Sequence, residues 1–199
     1  MQTVMTLVAE KLYSVDEYLD VEEISAGKSE YFDGEIIPMA GAKFAHNLIA
    51  TNVTTALSNA LDEKDQHFMV LNSDTKIHIP RLRSFVYPDA VVVCEAPEFY
   101  EGREDIILNP LLVVEILSPG TEKYDRRSKF GHYKTLPSFQ EYVLVAQHLP
   151  FVTASYKIAE RTWQDTDAEG VEETIYLRSL DVKLSLKRLY KGIVFIPRP

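Results

Sequence analysis

Two carboxylates set in apolar runs are the residues of this 199-residue chain best placed to do chemistry. Asp89 opens the run Pro88-Asp89-Ala90-Val91-Val92-Val93, and Glu115 lies inside Leu111-Leu112-Val113-Val114-Glu115-Ile116-Leu117. A carboxylate buried among such neighbours is costly unless a metal or a partner group compensates it. Carboxylate oxygens, backbone carbonyls and water are the ligands that Mg²⁺ or Mn²⁺ takes, whereas Zn²⁺ prefers His and Cys. Such an ion activates water and offsets charge on a phosphodiester. A nearby lysine orients the water or stabilises the developing charge. Lys129 is the candidate, in Asp125-Arg126-Arg127-Ser128-Lys129, where Asp125 and Lys129 share one face of a helix. Each piece also has an ordinary reading: Pro-Asp is a common strand entry, and Asp-x-x-x-Lys is a common surface pair.

The elements that must carry these residues follow from periodicity and punctuation. Ala90 to Cys94 and Leu111 to Leu117 are apolar without alternation, as central strands covered on both faces are. Asp125 to Leu136 reads as a helix ending before Pro137. Upstream, Ser14-Val15-Asp16-Glu17 has capping-box spacing and starts a short helix for which Gly27 is the stop. Tyr31 to Ile37 is a hairpin turning at Asp33-Gly34. Ala45 to Leu61 carries the i, i+3, i+4 stripe of a long amphipathic helix. Met69 to Leu71, Lys76 to Ile79, Glu141 to Val145 and Val152 to Tyr156 read as further strands, with a basic loop after Pro80 and a polar loop before Leu111. The last strand opens a hairpin turning around Asp165 to Gly170 and returning over Glu173 to Leu177, and Leu184 to Tyr190 reads as a terminal helix. No repeat, low-complexity segment or linker interrupts the chain, which reads as one α/β domain over residues 1–199.

Composition bounds the function. The formal net charge of -9 argues against a general polyanion binder. The sign is uneven: residues 10–35 hold nine acids and two bases, while residues 183–199 hold Lys183, Lys187, Arg188, Lys191 and Arg198 and no acid. A basic face on an acidic protein is compatible with this, though charge runs are most often solvated surface. The single cysteine, Cys94, excludes an internal disulfide and fits a reducing cytoplasm. No apolar run is long enough to span a membrane, and the N-terminal decapeptide lacks the basic and apolar regions of a signal peptide. There is no Gly-rich phosphate loop, no Cys/His zinc spacing and no Gly-x-Ser-x-Gly elbow.

Asp33-Gly34-Glu35, the helix from His46, Tyr87-Pro88-Asp89, Val114-Glu115-Ile116-Leu117-Ser118-Pro119-Gly120-Thr121, Asp125 with Lys129, and Tyr133 together resemble the Uma-type restriction endonucleases. That bacterial family belongs to the PD-(D/E)XK restriction-endonuclease-like superfamily, and the resemblance spans residues 10–160. It implies a restriction-endonuclease-like core, a central mixed sheet with helices on both sides, extended here by the N-terminal helix and hairpin and a C-terminal β-hairpin. In that pattern Asp89 matches the metal-binding aspartate and Glu115 the second acidic ligand. The superfamily's lysine falls at Leu117, so the ammonium group is expected from Lys129 on the following helix. Glu30 matches an acidic position before the first hairpin, and its alternative is a solvated acid. His46 is expected either to face the cleft or to serve as a helix-terminal structural residue.

The expectation is therefore a Mg²⁺-dependent phosphodiesterase acting on nucleic acid, DNA above all, with Mn²⁺ as the substitute ion. Asp89, Glu115 and the backbone carbonyl of Ile116 hold the ion, and Lys129 orients and deprotonates water. Arg126 and Arg127 either contact the phosphate backbone or stay in solvent. A homodimer in the cytoplasm, with no membrane contact, suits the cutting of both strands. The alternative is a catalytically inactive scaffold of the same fold that binds nucleic acid or a protein partner.

Overall fold

The computed structural model describes residues 11–62, 64 and 66–195. The N-terminal decapeptide and Arg198 lie outside the described residues. Helix α1 (Val15–Ile24) starts on the expected capping box: the Ser14 hydroxyl accepts from the Glu17 N–H at 3.1 Å, and the Glu17 carboxylate accepts from the Ser14 N–H at 2.8 Å. It ends at Ile24, before the expected Gly27, because Ser25 turns extended and its hydroxyl donates to the Val21 carbonyl. Strands β1 (Ser29–Phe32) and β2 (Glu35–Pro38) form the expected hairpin, with Asp33 and Gly34 both at positive φ, 43° and 110°. Helix α2 (Phe44–Leu61) buries the stripe Ile49, Val53, Ala56, Leu57 and Leu61.

The next strands are β3 (Phe68–Asn72), β4 (Lys76–Ile79), β5 (Ser84–Val86), β6 (Ala90–Cys94), β7 (Phe99–Tyr100), β8 (Arg103–Ile107) and β9 (Leu112–Leu117). Of these, β5, β7 and β8 fall where loops were expected. A 3-10 turn over Pro80–Leu82 and a left-handed Arg83 (φ 46°) reverse the chain into β5. Strands of two or three residues are too short to show a period, and β8, Arg-Glu-Asp-Ile-Ile, is charged over its first half. After β9 come α3 (Glu122–Tyr124), a π turn (Asp125–Lys129) and α4 (Phe130–Tyr133), so the expected helix is present but carries a π-helical middle.

Beyond Pro137, β10 (Glu141–Ala146) and β11 (Phe151–Ala159) match expectation, but the return strand is β12 (Thr162–Glu169). The expected turn at Asp165–Gly170 is thus corrected: Asp165 and Asp167 are strand residues, accepting hydrogen bonds from the Ser155 and Thr153 hydroxyls at 2.6 and 2.7 Å across the ladder. The segment expected as the return is β13 (Thr174–Leu177), which pairs with β14 (Val182–Ser185) as a separate C-terminal hairpin. Buried Glu141 pins that hairpin, accepting from the Arg178 N–H, the Ser179 N–H and the Ser179 hydroxyl at 3.0, 2.9 and 2.7 Å. The terminal helix shrinks to one turn, α5 (Leu186–Leu189), because Leu184 is spent on β14.

Two mixed six-stranded sheets result, where one was expected: β2-β1-β5-β4-β8-β7 and β12-β11-β10-β9-β6-β3. Parallel pairing occurs at β4–β8 and β9–β10. One face of the second sheet (Val114, Ile116, Val143, Val145) packs on α2, the C-terminal hairpin and α5. Its other face (Val113, Leu117, Tyr142, Leu144) packs on Tyr133 and Phe139 and on Ile77, Ile79 and Val86 of the first sheet. The sheets therefore meet over the strands that carry Asp89 and Glu115.

Candidate active site

Strand β6 pairs with β9 only from Ala90 to Val92, opposite Val114 to Leu112, so the C-terminal half of β9 extends beyond its neighbour. Asp89 fills the place of the missing strand. Its N–H donates to the Val114 carbonyl at 3.2 Å, and its Oδ2 accepts the Ile116 N–H at 2.7 Å. The other oxygen, Oδ1, lies 2.8 Å from Nε2 of His46, on the first turn of α2. His46 thus faces the cleft, and the structure engages Ile116 through its N–H.

Glu115 is 3% exposed, in the stretch of β9 left over by β6. Its Oε1 lies 2.9 Å from Nζ of Lys129 and accepts the Tyr133 hydroxyl at 3.1 Å. Lys129 also donates to the Tyr87 carbonyl at 2.8 Å and stands 3.3 Å from Oε1 of Glu30. That Glu30 oxygen accepts the Tyr87 N–H at 3.2 Å, so the Tyr87 backbone holds Lys129 through its carbonyl and Glu30 through its N–H. The π turn makes this reach possible. It buries Asp125 and Lys129 together, and its Asp125 carbonyl accepts the Tyr142 hydroxyl at 3.0 Å. Leu117, where the superfamily pattern has lysine, is buried in the apolar core.

The charge is unbalanced. Glu30, Asp89, Glu115 and Asp125 gather around one lysine, and Glu30, Glu115, Asp125 and Lys129 are all buried. Burial, reinforced by Asp89 and Asp125 and opposed by Lys129, pushes the Glu115 carboxyl well above its ordinary value. Burial raises Asp125 as well, again with Lys129 opposing. Burial works to lower Lys129, but Glu115, Glu30 and Asp125 more than reverse this, and the ammonium is held above its ordinary value. Burial likewise works against a charged His46, and the hydrogen bond and charge of Asp89 with the charge of Asp125 together outweigh it, leaving the ring above its ordinary value.

Of the residues singled out in the sequence, Asp89, Glu115, Lys129, Glu30 and His46 converge. Arg126 and Arg127 do not: both are exposed, and Arg126 pairs with Glu122 one turn back at 2.8 Å. Sequence reasoning gave no site role to Asp125, Tyr87 or Tyr133. The available signal for Tyr133 is its spacing, four residues after Lys129 on the same face. For Tyr87 there is none, since its peptide group does the work.

The donor set suits a hard cation. Among the described residues no three His, Cys, Asp or Glu side chains form a ready metal cage. Mg²⁺ needs none, being held by one or two carboxylates and water. Each oxygen of Asp89 accepts one hydrogen bond and keeps a second lone pair, and both contacts of Glu115 fall on its Oε1, so Asp89 and the other Glu115 oxygen are the groups that could hold a cation.

The architecture is that of a mixed α/β protein with a buried carboxylate–lysine centre at the frayed edge of a strand pair. The chain belongs to the Uma2 family, described as "Putative restriction endonuclease", which it matches over residues 15–187. Two uncharacterized Synechocystis proteins resemble it: sll1609 at 36% identity over 83% of this chain and 93% of that protein, and slr1290 at 34% over 92% and 93%. The fold is shared with the crystal structure of a putative nuclease of the DUF820 group from Anabaena variabilis, with a TM-score of 0.71 at 17% identity over 92% of this chain and 99% of that one.

Proposed function

We propose that the chain is a divalent-metal-dependent phosphodiesterase that cuts nucleic acid, most of all a DNA endonuclease, built on a restriction-endonuclease-like core. The observation that carries the reading is the contact between Lys129 and Glu115, which returns an ammonium group to the carboxylates although the strand itself offers Leu117. Asp89, Glu115 and the Ile116 carbonyl are the groups that would hold Mg²⁺ or Mn²⁺. When bound, the ion would supply a polarised water and charge neutralisation at phosphorus.

The chain's own residues do the rest. His46 and the Ile116 N–H fix both oxygens of Asp89, which removes the entropy of placing that ligand. Lys129, held protonated by its acidic neighbours, would supply positive charge beside the reacting phosphate and, on giving up its longer contact with Glu30, would orient the nucleophilic water without taking its proton. Glu30, bound to Lys129 through one oxygen, is the carboxylate placed to accept that proton. Arg126 and Arg127, in solvent beside the site, are contacts for the phosphate backbone.

Plasmid and oligonucleotide cleavage with Mg²⁺ and with Mn²⁺ tests the reading, and equal cutting by wild type and Asp89→Ala would sink it. The net charge of -9 favours one competitor, an inactive scaffold of the same fold that binds nucleic acid or protein. Calorimetric titration separates the two, because a scaffold without chemistry shows no saturable divalent site that disappears in Asp89→Ala.

A further inference from the structure

We propose that the cavity beside the carboxylate centre seats a single unstacked nucleobase, so that the strand to be cut is recognised with one nucleotide drawn out of its stack. The inference rests on the phosphodiesterase reading. The cavity, of about 480 Å³, lies where the ends of β9 and β10 meet α3 and the π turn. Leu117, Phe151 and Phe195 supply apolar walls, and Arg126, Gln147 and His148 supply the polar part of the lining. That volume suits one nucleoside-sized ligand.

Three features favour a base over another occupant. Leu117 lies two residues beyond Glu115 on the same face of β9, about 7 Å along the strand. A phosphate at the carboxylates therefore has its own nucleoside within reach of the cavity. Gln147 follows Ala146, the residue paired with Leu117, and is 7% exposed. Its Oε1 has no hydrogen-bond partner among the described residues, while its amide nitrogen lies 3.2 Å from Nε2 of His148. A buried amide with an idle acceptor is suited to the edge of a base, which presents amino donors beside ring acceptors. Arg126 lies at the same cavity, where its guanidinium, already steadied by Glu122, meets the backbone phosphate of the extruded nucleotide. Bases in an intact duplex are closed within their stack, so entry requires a single strand or a flipped nucleotide.

The full chain is mixed with duplex and single-stranded oligodeoxynucleotides carrying 2-aminopurine at successive positions. Ca²⁺ replaces Mg²⁺, and binding is followed separately by the anisotropy of an end label. Wild type is expected to raise 2-aminopurine fluorescence in the duplex several-fold at one position. Leu149→Trp, which crowds the cavity from an exposed position, is expected to abolish the rise and weaken binding about tenfold, the scale of one base contact. Gln147→Ala is expected to keep a reduced rise and to alter the preference among bases at that position. Binding without a rise at any position, in a protein that cleaves with Mg²⁺, overturns the pocket assignment alone. Neither binding nor cleavage overturns the phosphodiesterase reading and this inference with it.

Discussion

Lys129 stands 2.9 Å from Glu115, although the two come from separate elements, a π turn and a strand that carries Leu117 and no lysine. The pair is buried, so removing one partner leaves the other uncompensated. Lys129→Met is expected to destabilise the fold by about 3 kcal/mol. Adding Glu115→Leu is expected to recover most of that loss, since an apolar pair of similar volume suits the surrounding core. Neither variant is expected to cut nucleic acid. Urea unfolding of the two single variants and the double variant measures the coupling, and strict additivity would show that the contact carries no energy.

Asp89→Asn keeps a side chain able to meet His46 and the Ile116 N–H but removes the charge that a cation needs. Cleavage is expected to fall by about 1,000-fold, the scale of losing one electrostatic group at a reaction centre. The melting temperature is expected to stay within a few degrees of wild type. A large loss of stability with cleavage retained would reverse the assignment of Asp89 from ligand to structural brace.

Tyr133→Phe deletes the buried hydroxyl that donates to Glu115 and nothing else. The loss is expected to be about 1 kcal/mol, or about 3 °C in melting temperature for a chain of this size. Cleavage is expected to fall only several-fold, because Lys129 still holds the same oxygen. Calorimetry and a single-turnover assay separate the two effects.

Glu115 and Asp125 are held above their ordinary values of 4.5 and 3.8, chiefly by burial. The folded state therefore binds those protons more tightly than the unfolded chain does. The stability they contribute is complete below the ordinary values and is lost as pH climbs through the raised ones. His46, which burial would lower but which the hydrogen bond and charge of Asp89 together with the charge of Asp125 raise above 6.5, adds a loss of the same sign at higher pH. Melting temperature without metal is expected to decline from about pH 5 to about pH 8, more steeply than in Glu115→Gln. Mg²⁺ is expected to stabilise most at the alkaline end, since it binds the deprotonated acids. Scanning calorimetry across that range checks both slopes, and a Mg²⁺ effect that fades toward alkaline pH would contradict the proposed ligands.

Much of this was legible in the sequence, and the failures have physical causes. The capping box at Ser14, the Asp33-Gly34 turn, the stripe of α2 and the unbroken apolar runs of β6 and β9 are local signals, and each produced the expected element. The C-terminal pairing failed because Asp165 and Asp167 look like turn residues until Ser155 and Thr153 supply hydroxyl donors across the ladder. The short strands β5, β7 and β8 have no period to read, and they turn one expected sheet into two. At the site, Asp89, Glu115 and Lys129 were visible as residue types in place. The contribution of Tyr87 was not, because backbone groups have no sequence signature, and Ile116, expected through its carbonyl, meets Asp89 through its N–H.

The π turn at Asp125–Lys129 has a genetic consequence. A π turn is what one surplus residue does to an α-helix. Removing a single codon, such as that of Ser128, restores regular winding and swings the preceding side chains about 100° against those that follow. Asp125 and the lysine stay three apart on one helix face, but they can no longer both keep their present places at the carboxylates, although every acid, the lysine and both tyrosines are still encoded. Three nucleotides thus separate this arrangement of acids and lysine from a chain that keeps those residues and loses their geometry. The one-residue deletion, assayed beside Lys129→Met, is expected to be equally silent in cleavage.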